Sequence, residues 1–552
     1  RSSGDVVLPN VFCGVGTVML VILYFYVKSV PLKEKVASVL LIAALAVSFN
    51  FNSLNYIWHG FHFPNDLPYR QSFVYVFFLL TLAFRTITKL RELHPKDFLT
   101  IGLLTGGFVL LADKLEVQNF RDGTVLVNLA FIALYVVLLT LINNKTMRIR
   151  TVAYLMFLGM FAEVVVADID NFDIDVTNES YTSEYDGMKA VNSFLEEYDP
   201  ADDYRVETTY PMLCMNPSWY GYNGISMFSS MAYEHSSNLY YNTGIAGNFI
   251  NSYTYRPQTP VFHNMFNLKY LVDNDPAVDL DPKYFTSIGD ISGLTVYKNN
   301  YYLPLGYAVS DDIVNWDHAT GNPFYAQNDF VHRTTGIDED VFTNVTFTDI
   351  SYSNIAPFSD VLNSGSYQFS KSNPDAEASF TITFIPDDTA RYYMYCRTAN
   401  ADTVYLSGDD GYSAQTTVTT DNQYVYDMGT RAKEVPIRIE VPVNDAEGNV
   451  ELFVVKQHDD VYKKSYDKLS KNPMKITKFE DTAVEGTVNI EKGQMLYTSI
   501  NYDEGWSVTV DGNIITGQGL GATMDFALCI AEILTGKETA DRIAAATCYR
   551  YR

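Results

Sequence analysis

The sequence has few cysteines and a shortage of positive charge, and each shortage excludes a class of protein. Its five cysteines form no Cys-x-x-Cys pair and no metal-ligand spacing, which argues against a zinc ribbon or a dense disulfide framework. Lys and Arg number 39 against 65 Asp and Glu, and the formal net charge is −26. Binding to nucleic-acid phosphates requires clustered Lys and Arg. The composition therefore predicts no nucleic-acid partner.

Familiar catalytic motifs are also missing. The sequence contains no Walker loop, no His-Glu-x-x-His and no Gly-x-Ser-x-Gly. The glycine-rich stretch 517–521 lacks the βαβ context and the lysine of a phosphate-binding loop. Cys13 lies in an apolar run and is expected to be a buried thiol. Free thiols are the favoured expectation at Cys214 and Cys396, and a disulfide between these two residues is the less favoured alternative.

Charge divides the chain into two parts. Residues 1–168 contain 14 Lys and Arg and 10 Asp and Glu, a net charge of +4. The remaining residues contain 25 against 55, a net charge of −30. The length also exceeds that of one ordinary domain, which is about 150 residues. An apolar, slightly basic front part and a polar, acidic back part indicate two different physical environments.

Apolar runs in the front part predict transmembrane helices. A helix that crosses the hydrocarbon core needs about 20 mostly apolar residues. Six such runs within 168 residues cannot all be core helices of a soluble protein. The runs are residues 8–27, 36–51, 71–88, 98–113, 124–143 and 151–168.

The basic residues between these runs predict the orientation, because Lys and Arg are retained on the cytoplasmic side. The first, third and fifth connections carry most of them, whereas the second and fourth carry few. The basic residues in the odd connections are Lys28, Lys33, Lys35, Arg85, Lys89, Arg91, Lys96, Lys145, Arg148 and Arg150. Odd connections are therefore predicted to be cytoplasmic, and the acidic part that follows residue 168 is predicted to be extracytoplasmic.

The acidic part is predicted to contain two regions. Residues 169–315 read as a mixed α/β region, with an amphipathic helix at 181–197 and an aromatic, turn-rich loop that begins at Trp219. Residues 316–512 read as a β-sandwich-like domain, because short runs alternate polar and apolar side chains. Examples of these runs are residues 378–384, 435–441 and 450–455. The predicted fold class is a membrane α-helical bundle, an extracytoplasmic α/β segment, a mostly β sandwich-like domain and a short C-terminal helix.

The second connection, residues 52–70, is the candidate substrate-binding site. Arg suits a lipid-linked phosphate because its planar fork donates two hydrogen bonds. His can donate to a phosphate or transfer a proton, and Asp66 could hold a divalent metal together with substrate phosphates. The alternative is an interfacial belt of Trp, Tyr and Arg with solvated His. The candidate residues are Trp58, His59, His62, Asp66 and Arg70.

Two further acidic features each have a functional and an ordinary interpretation. Glu163 lies inside the sixth run, where a carboxylate is costly and usually functional, although an interfacial Glu is an equal alternative. Acidic residues alternate from Asp168 to Asp175, but no EF-hand spacing follows. A solvated acidic linker is therefore the favoured interpretation of that stretch.

Several segments together resemble the YfhO-type bacterial membrane protein family. They are Leu8-Pro-Asn-Val-Phe-Cys-Gly and the segments 54–61, 64–70, 266–272, 302–310 and 499–512, in family order. The resemblance implies a membrane glycosyltransferase of the type C fold. Such enzymes take a sugar from a polyprenyl-phosphate carrier at the outer face and attach it to an envelope acceptor, often teichoic acid.

The chain departs from the family pattern in two ways. Type C enzymes usually carry their catalytic carboxylate in the first outer loop of the N-terminal half, and this chain is expected to begin after that half. Its catalytic residues are therefore unknown. Residues 513–552 instead resemble the C-terminal segment of the ThiJ/PfpI family and are interpreted as a fusion or assembly artefact. Cys529 is not the nucleophile of that family.

Two functional hypotheses follow. The first is the C-terminal part of an integral glycosyltransferase of the bacterial cell membrane, with the lipid bilayer, a polyprenyl-phosphate-linked sugar and an envelope polymer as partners. A divalent metal is the one cofactor considered. The alternative is a non-catalytic envelope protein whose outer β-domain binds carbohydrate or a protein partner.

Overall fold

The computed structural model divides the chain into two compact units, Arg1–Thr177 and Asn178–Arg552, named here the N-terminal unit and the C-terminal unit. It describes residues 9–62, 69–115, 123–143, 148–171, 177–201, 203–211, 214–248, 250–275, 278, 280–357, 362–480, 482–502, 505–510, 513–516, 537 and 542. Most of residues 513–552, which resemble ThiJ/PfpI proteins, lie outside the described residues. The short helix predicted there lies outside them as well.

The described N-terminal unit is helical. Its helices are α1 (Val15–Tyr24), α2 (Leu32–Ser48), α3 (Asn52–Trp58), α4 (Ser72–Ile87), α5 (Pro95–Lys114), α6 (Thr124–Asn143) and α7 (Ile149–Asn171). Helix α1 lies at the centre, where Met19, Leu23 and Tyr24 are fully buried. Phe77 and Phe108 instead point outward and are about 70% exposed. An apolar exterior of this kind suits a helix bundle in lipid.

Among the described residues of this unit, three helices are long and apolar enough to cross a membrane, at Pro95–Lys114, Thr124–Ile142 and Arg150–Ile169. Helices α2 and α3 form a fourth candidate, which is bent by 100° at the break between them. Helices α1 and α4 are apolar but shorter. The ten residues of α1 rise about 15 Å, which is half of a bilayer core. Six full spans therefore remain a prediction, although each predicted run falls on a helix.

The C-terminal unit mixes helices and strands. Its helices are α8 (Asn178–Thr182), α9 (Tyr185–Tyr198), α10 (Asn216–Tyr220), α11 (Glu234–Asn242), α12 (Pro260–Met265), α13 (Pro323–Thr335) and α14 (Asp459–Leu469). Its strands are β1 (Arg205–Thr208), β2 (Met227–Phe228), β3 (Ala246–Gly247), β4 (Ser252–Thr254), β5 (Leu268–Asp273), β6 (Phe285–Ile291), β7 (Leu294–Asn299), β8 (Gly306–Ser310), β9 (Phe342–Asn344), β10 (Phe347–Ser353), β11 (Ser366–Ser370), β12 (Ala378–Phe384), β13 (Ala390–Thr398), β14 (Thr403–Gly408), β15 (Ser413–Thr417), β16 (Tyr426–Arg431), β17 (Ile437–Val443), β18 (Glu447–Gln457), β19 (Lys475–Glu480), β20 (Ala483–Thr487), β21 (Gln494–Thr498), β22 (Ser507–Val510) and β23 (Asn513–Thr516).

The first half of this unit is built on the four-stranded sheet β1-β5-β7-β6, in which β1 and β5 are parallel. Helix α9 covers it with Met188, Val191 and Leu195, which are buried with Val272 and Val296 of the sheet. The spacing of three and four residues is that of one helix face. The predicted amphipathic helix is confirmed, with a break that separates α8 from α9. A smaller sheet, β2-β4-β3, lies in the same half.

The second half contains the predicted sandwich. One sheet has the order β10-β12-β17-β14-β15 and the other has β11-β18-β13-β16, with β9 paired to β18. Alternate residues of β12 are buried, and Ile382 pairs with Ile439 of β17 in register. Because side chains alternate between the faces of a strand, this pattern gives each sheet one apolar inner face. The predicted fold class is confirmed for the described residues, in which N-terminal helices are followed by a mostly β region that contains a sandwich.

The two halves share a hydrophobic core. Phe262 of α12 and Phe324 of α13 are buried in one cluster with Tyr393 and Val455, which point outward from the second sandwich sheet. The C-terminal unit is therefore continuous in packing across the predicted boundary at residue 315.

Both Cys214, which is exposed, and Cys396, which is buried in the sandwich, are free thiols. Burial raises the pKa of the Cys396 thiol to about 12.

Candidate functional site

The sharp bend between α2 and α3 forms an elbow that is held by aromatic rings. The ring of Phe49, which follows α2, packs edge-on against Tyr69 at 6.0 Å and against Tyr75 of α4 at 5.7 Å between centroids. Such edge-to-face pairs contribute about 0.5–1.5 kcal/mol beyond their buried area. These contacts bring the start of the 52–70 connection close to its end.

A buried amide, Asn55 of α3, joins the two ends of the connection. Its side chain is 7% exposed, and its Oδ1 accepts a long hydrogen bond of 3.5 Å from the backbone N–H of Tyr69. Its backbone carbonyl lies 2.8 Å from Nδ1 of His59. A carbonyl can only accept, so Nδ1 carries the proton. The Nε2 atom of His59 is buried and has no hydrogen-bond partner among the described residues.

Gln71, the N-cap residue of α4, is the second unsatisfied group of the elbow. Its side chain is only 4% exposed. Both Nε2 and Oε1 lack a hydrogen-bond partner in the part of the chain that the structure describes. Leaving a buried polar group unsatisfied costs about 1–3 kcal/mol, so such a group calls for an explanation. Together with His59, it presents unused hydrogen-bonding capacity next to Arg70.

The structure places the sequence-predicted residues around this elbow. Trp58 ends α3 and is 46% exposed. His62 is exposed, and so is Arg70, which directly precedes Gln71. Asp66 lies outside the described residues. The contacts of the elbow therefore bring the chain segment that contains His59 close to the segment that contains Arg70.

Sequence reasoning missed Asn55 and Gln71. Both are uncharged amides at the ends of apolar runs, where such residues are usually solvated, and the sequence carries no other signal for them. Within the described ranges, no group of three or more His, Cys, Asp or Glu side chains could hold a metal ion. Asp66, the predicted metal ligand, lies outside those ranges.

Glu163 of α7 lies in a separate buried site. Its side chain is 8% exposed and accepts hydrogen bonds from the Tyr135 hydroxyl at 2.6 Å and from the Val15 backbone N–H at 2.5 Å. Gly14 has a φ of +78°, and a Cβ there would lie 3.0 Å from the carboxylate. A hydrogen-bond acceptor at a helix N-terminus satisfies backbone N–H groups that have no partner within the helix. The positive end of the helix dipole also favours a negative charge at that position. Glu163 therefore fixes the start of α1 inside the bundle.

Comparison with known proteins gives one match along most of the chain. The family described as "Bacterial membrane protein YfhO" matches residues 2–524. Protein DJ-1alpha of Drosophila melanogaster is 47% identical over 51 residues, which is 9% of this chain and 24% of that protein. The chain thus spans about a quarter of the length of that relative, and the likeness is partial.

Two solved structures are also similar to parts of the chain. A family two carbohydrate esterase from Cellvibrio japonicus is 12% identical, with 21% of this chain and 32% of that chain covered and a TM-score of 0.15. The enzymatically active domain of tailspike protein 4 of bacteriophage CBA120 is 21% identical, with 21% and 19% covered and a TM-score of 0.14. Scores this low carry no argument about fold or activity.

Proposed function

The chain belongs to the YfhO family of bacterial membrane proteins, and from this premise we propose that it is the C-terminal part of an integral membrane glycosyltransferase. The enzyme moves a sugar from a polyprenyl-phosphate carrier to a cell-envelope acceptor such as teichoic acid. In this proposal the protein crosses the bacterial cell membrane several times and carries the C-terminal unit outside. The role of this part is to bind the lipid-linked donor.

The unsatisfied elbow is the observation that supports donor binding. A polyprenyl-phosphate sugar offers an apolar tail, a phosphate and hydroxyl groups. The exposed apolar side chains of α4, such as Phe73, suit the tail, and the guanidinium of Arg70 suits the phosphate. With its proton on Nδ1, His59 can accept a hydrogen bond at Nε2 from a sugar hydroxyl, and the amide of Gln71 can donate to a phosphate or sugar oxygen. Satisfying these groups would recover the free energy that their burial costs.

Arg70→Ala is expected to lower sugar transfer by the complete protein in proteoliposomes. A hydrogen bond to a charged group contributes about 1.5–3 kcal/mol, so kcat/KM for the lipid-phosphate donor should fall by about 10- to 150-fold. Arg70→Lys should recover only part of the rate, because Lys lacks the planar fork. Arg91→Ala, at an exposed position on another connection, is the matched control and should leave the rate unchanged. Full activity of Arg70→Ala would make Arg70 an interfacial anchor only.

The proposed orientation is tested by labelling with a membrane-impermeant thiol reagent on intact cells. In a background with Cys214, Cys529 and Cys548 replaced by serine, Ala190→Cys and Thr420→Cys of the C-terminal unit should react from outside. Arg91→Cys should react only after the cells are opened, because its connection is predicted to be cytoplasmic. The reverse pattern would contradict the orientation and the function that depends on it.

A non-catalytic carbohydrate-binding protein is the second candidate, and one surface favours it. Tyr405 of β14 is 45% exposed on the solvent face of the first sandwich sheet. It lies directly opposite Gln415 of β15 and Glu440 of β17. An exposed ring between an amide and a carboxylate can stack on a sugar and bond to its hydroxyls. Under this hypothesis the complete protein binds envelope polymer but transfers no sugar in the assay above.

A further inference from the structure

A long stretch of the C-terminal unit is almost free of charge. Residues 208–255 contain one residue of the Asp, Glu, Lys and Arg types, Glu234, whereas 19% of the whole chain is charged. At that average the 48 residues would hold about nine. The surrounding chain is strongly acidic. Selection for solubility alone does not explain an uncharged stretch on such a surface.

The same stretch exposes large apolar side chains close to one another. Strand β2 pairs with β4, with Phe228 opposite Ser252, and the Ser229 N–H donates to the Asn251 carbonyl at 3.1 Å. These bonds place residues 227–229 beside residues 251–253, which directly follow Ile250. A turn in which the Ala232 N–H donates to the Ser229 carbonyl at 2.9 Å contains Met231. The Met231 surface consists of Met227 (38% exposed), Phe228 (48%), Met231 (85%), Tyr233 (55%) and Ile250 (39%).

The backbone at this surface is held in place by hydrogen bonds. Glu207 lies beneath the turn that leads into β2 and accepts from the backbone N–H groups of Ile225 and Ser226 at 2.5 and 2.7 Å. The Asn248 side chain accepts from three successive backbone N–H groups, those of residues 250–252, at 3.0 Å each. Both ends of the surface are therefore held by hydrogen bonds while the apolar side chains between them face outward.

We infer that the Met231 surface inserts into the head-group region of the bilayer that holds the N-terminal unit. Exposed apolar groups that are rimmed by polar ones mark contact with a membrane or a protein. Met, Phe, Tyr and Ile suit the interface, and the exposed Glu234 beside Tyr233 is the one charged side chain of the stretch, so insertion requires few charges to lose their water. The acidic remainder of the unit is repelled by lipid phosphates, so this nearly uncharged face is the one that can approach them.

The chain itself favours lipid over another partner. Only six residues, 172–177, separate the end of α7 from the C-terminal unit. Such a short connection keeps the unit at a high effective concentration near the bilayer, so that weak insertion suffices. An aromatic group follows this connection directly, with the ring of Trp219 at 6.3 Å from Tyr181 and 5.5 Å from Tyr185. Trp and Tyr are the residues that concentrate at membrane interfaces.

A nitroxide spin label tests this inference in the full chain, reconstituted into phosphatidylcholine liposomes. With the native cysteines replaced, Met231→Cys is labelled, and its collisions with oxygen and with a water-soluble nickel chelate are measured by power saturation. We expect the ratio of oxygen to nickel collisions to be at least several-fold higher at 231 than at the control, Tyr405→Cys. The control residue is also exposed, at 45%, but lies on the sandwich. Tyr233→Cys should behave like Met231→Cys, which protects the test against one ill-folded variant.

Three results would overturn the inference. Equal nickel access at positions 231 and 405 would mean that the surface is in water. Protection of position 231 from both reagents would mean that a protein, such as a second copy of this chain, covers it. A label that remains in water until envelope polymer is added would assign the surface to the polymer and also refute insertion into lipid.

Discussion

Arg391→Ala is expected to destabilise the C-terminal unit by about 3–5 kcal/mol, the usual cost of removing one partner of a buried ion pair. The Arg391 side chain is 8% exposed. Its Nε donates to both carboxylate oxygens of Asp427 at 3.0 and 2.9 Å, and its Nη2 donates to one of them at 2.5 Å. Its Nη1 also lies 3.4 Å from Asp281. The variant would leave two half-buried carboxylates without their shared cation.

Arg438→Ala is the matched control. Arg438 pairs with Asp409 at 2.6 Å, but the two side chains are 44% and 52% exposed. An exposed pair contributes about 0–1 kcal/mol. Urea unfolding of the full chain in detergent, followed by near-ultraviolet circular dichroism, compares the two variants. A loss for Arg391→Ala no larger than that for Arg438→Ala would show that the buried ion pair contributes no more to the stability of the unit than an exposed pair does.

The sandwich could be predicted because its signal is local. Strand β12 alternates along its whole length, and the alternation alone assigns Phe380, Ile382 and Phe384 to the inner face. The same reasoning finds α9 through its apolar positions. The position of Arg391 relative to Asp281 could not be predicted, because 110 residues separate them and only the shared core brings them together.

The candidate site was predicted only in part, and the reason is physical. Arg70 and His59 were proposed because their chemistry suits phosphate whatever their surroundings. Asn55 and Gln71 draw attention only once their burial is known, and burial depends on how α2, α3 and α4 pack. The shortness of α1 was also missed, because an apolar run does not reveal that Gly14 turns the chain and that Glu163 caps the helix there.

Glu207 gives the second large expected effect, in the pH dependence of stability. The carboxyl group is 1% exposed on β1, and burial raises its pKa to about 7. The N–H groups of Ile225 and Ser226 and the Ser226 hydroxyl at 3.2 Å oppose this rise only in part. Because the folded state binds the proton more tightly than the unfolded state does, this group stabilises the fold most at low pH. That stabilisation is lost as the pH rises from about 4.5 to about 7.

His263 acts in the opposite direction over part of the same range. It is 2% exposed, its Nε2 lies 3.0 Å from the Tyr255 hydroxyl, and burial lowers its pKa to about 3. The unfolded state therefore gains protons at His263 below a pH of about 6.5 while the folded state does not. Stability is lost there as the pH falls. Between pH 4.5 and 6.5 the two contributions partly cancel, which would leave the native protein with a rather flat profile.

Glu207→Gln should separate the two contributions. Gln can accept from the Ile225 and Ser226 N–H groups as a protonated carboxyl does, so at pH 5 the free energy of unfolding should lie within about 1 kcal/mol of that of the native protein. At pH 8 the variant should be more stable by about 3 kcal/mol, from a pKa difference of roughly 2.5 at 1.36 kcal/mol per unit. The variant should also lose stability on acidification below pH 6.5, because His263 is no longer compensated. Urea unfolding from pH 5 to 8 measures both effects, with the exposed Glu339→Gln as the control that should shift neither. A constant difference between Glu207→Gln and the native protein across that range would mean that Glu207 does not titrate within the fold.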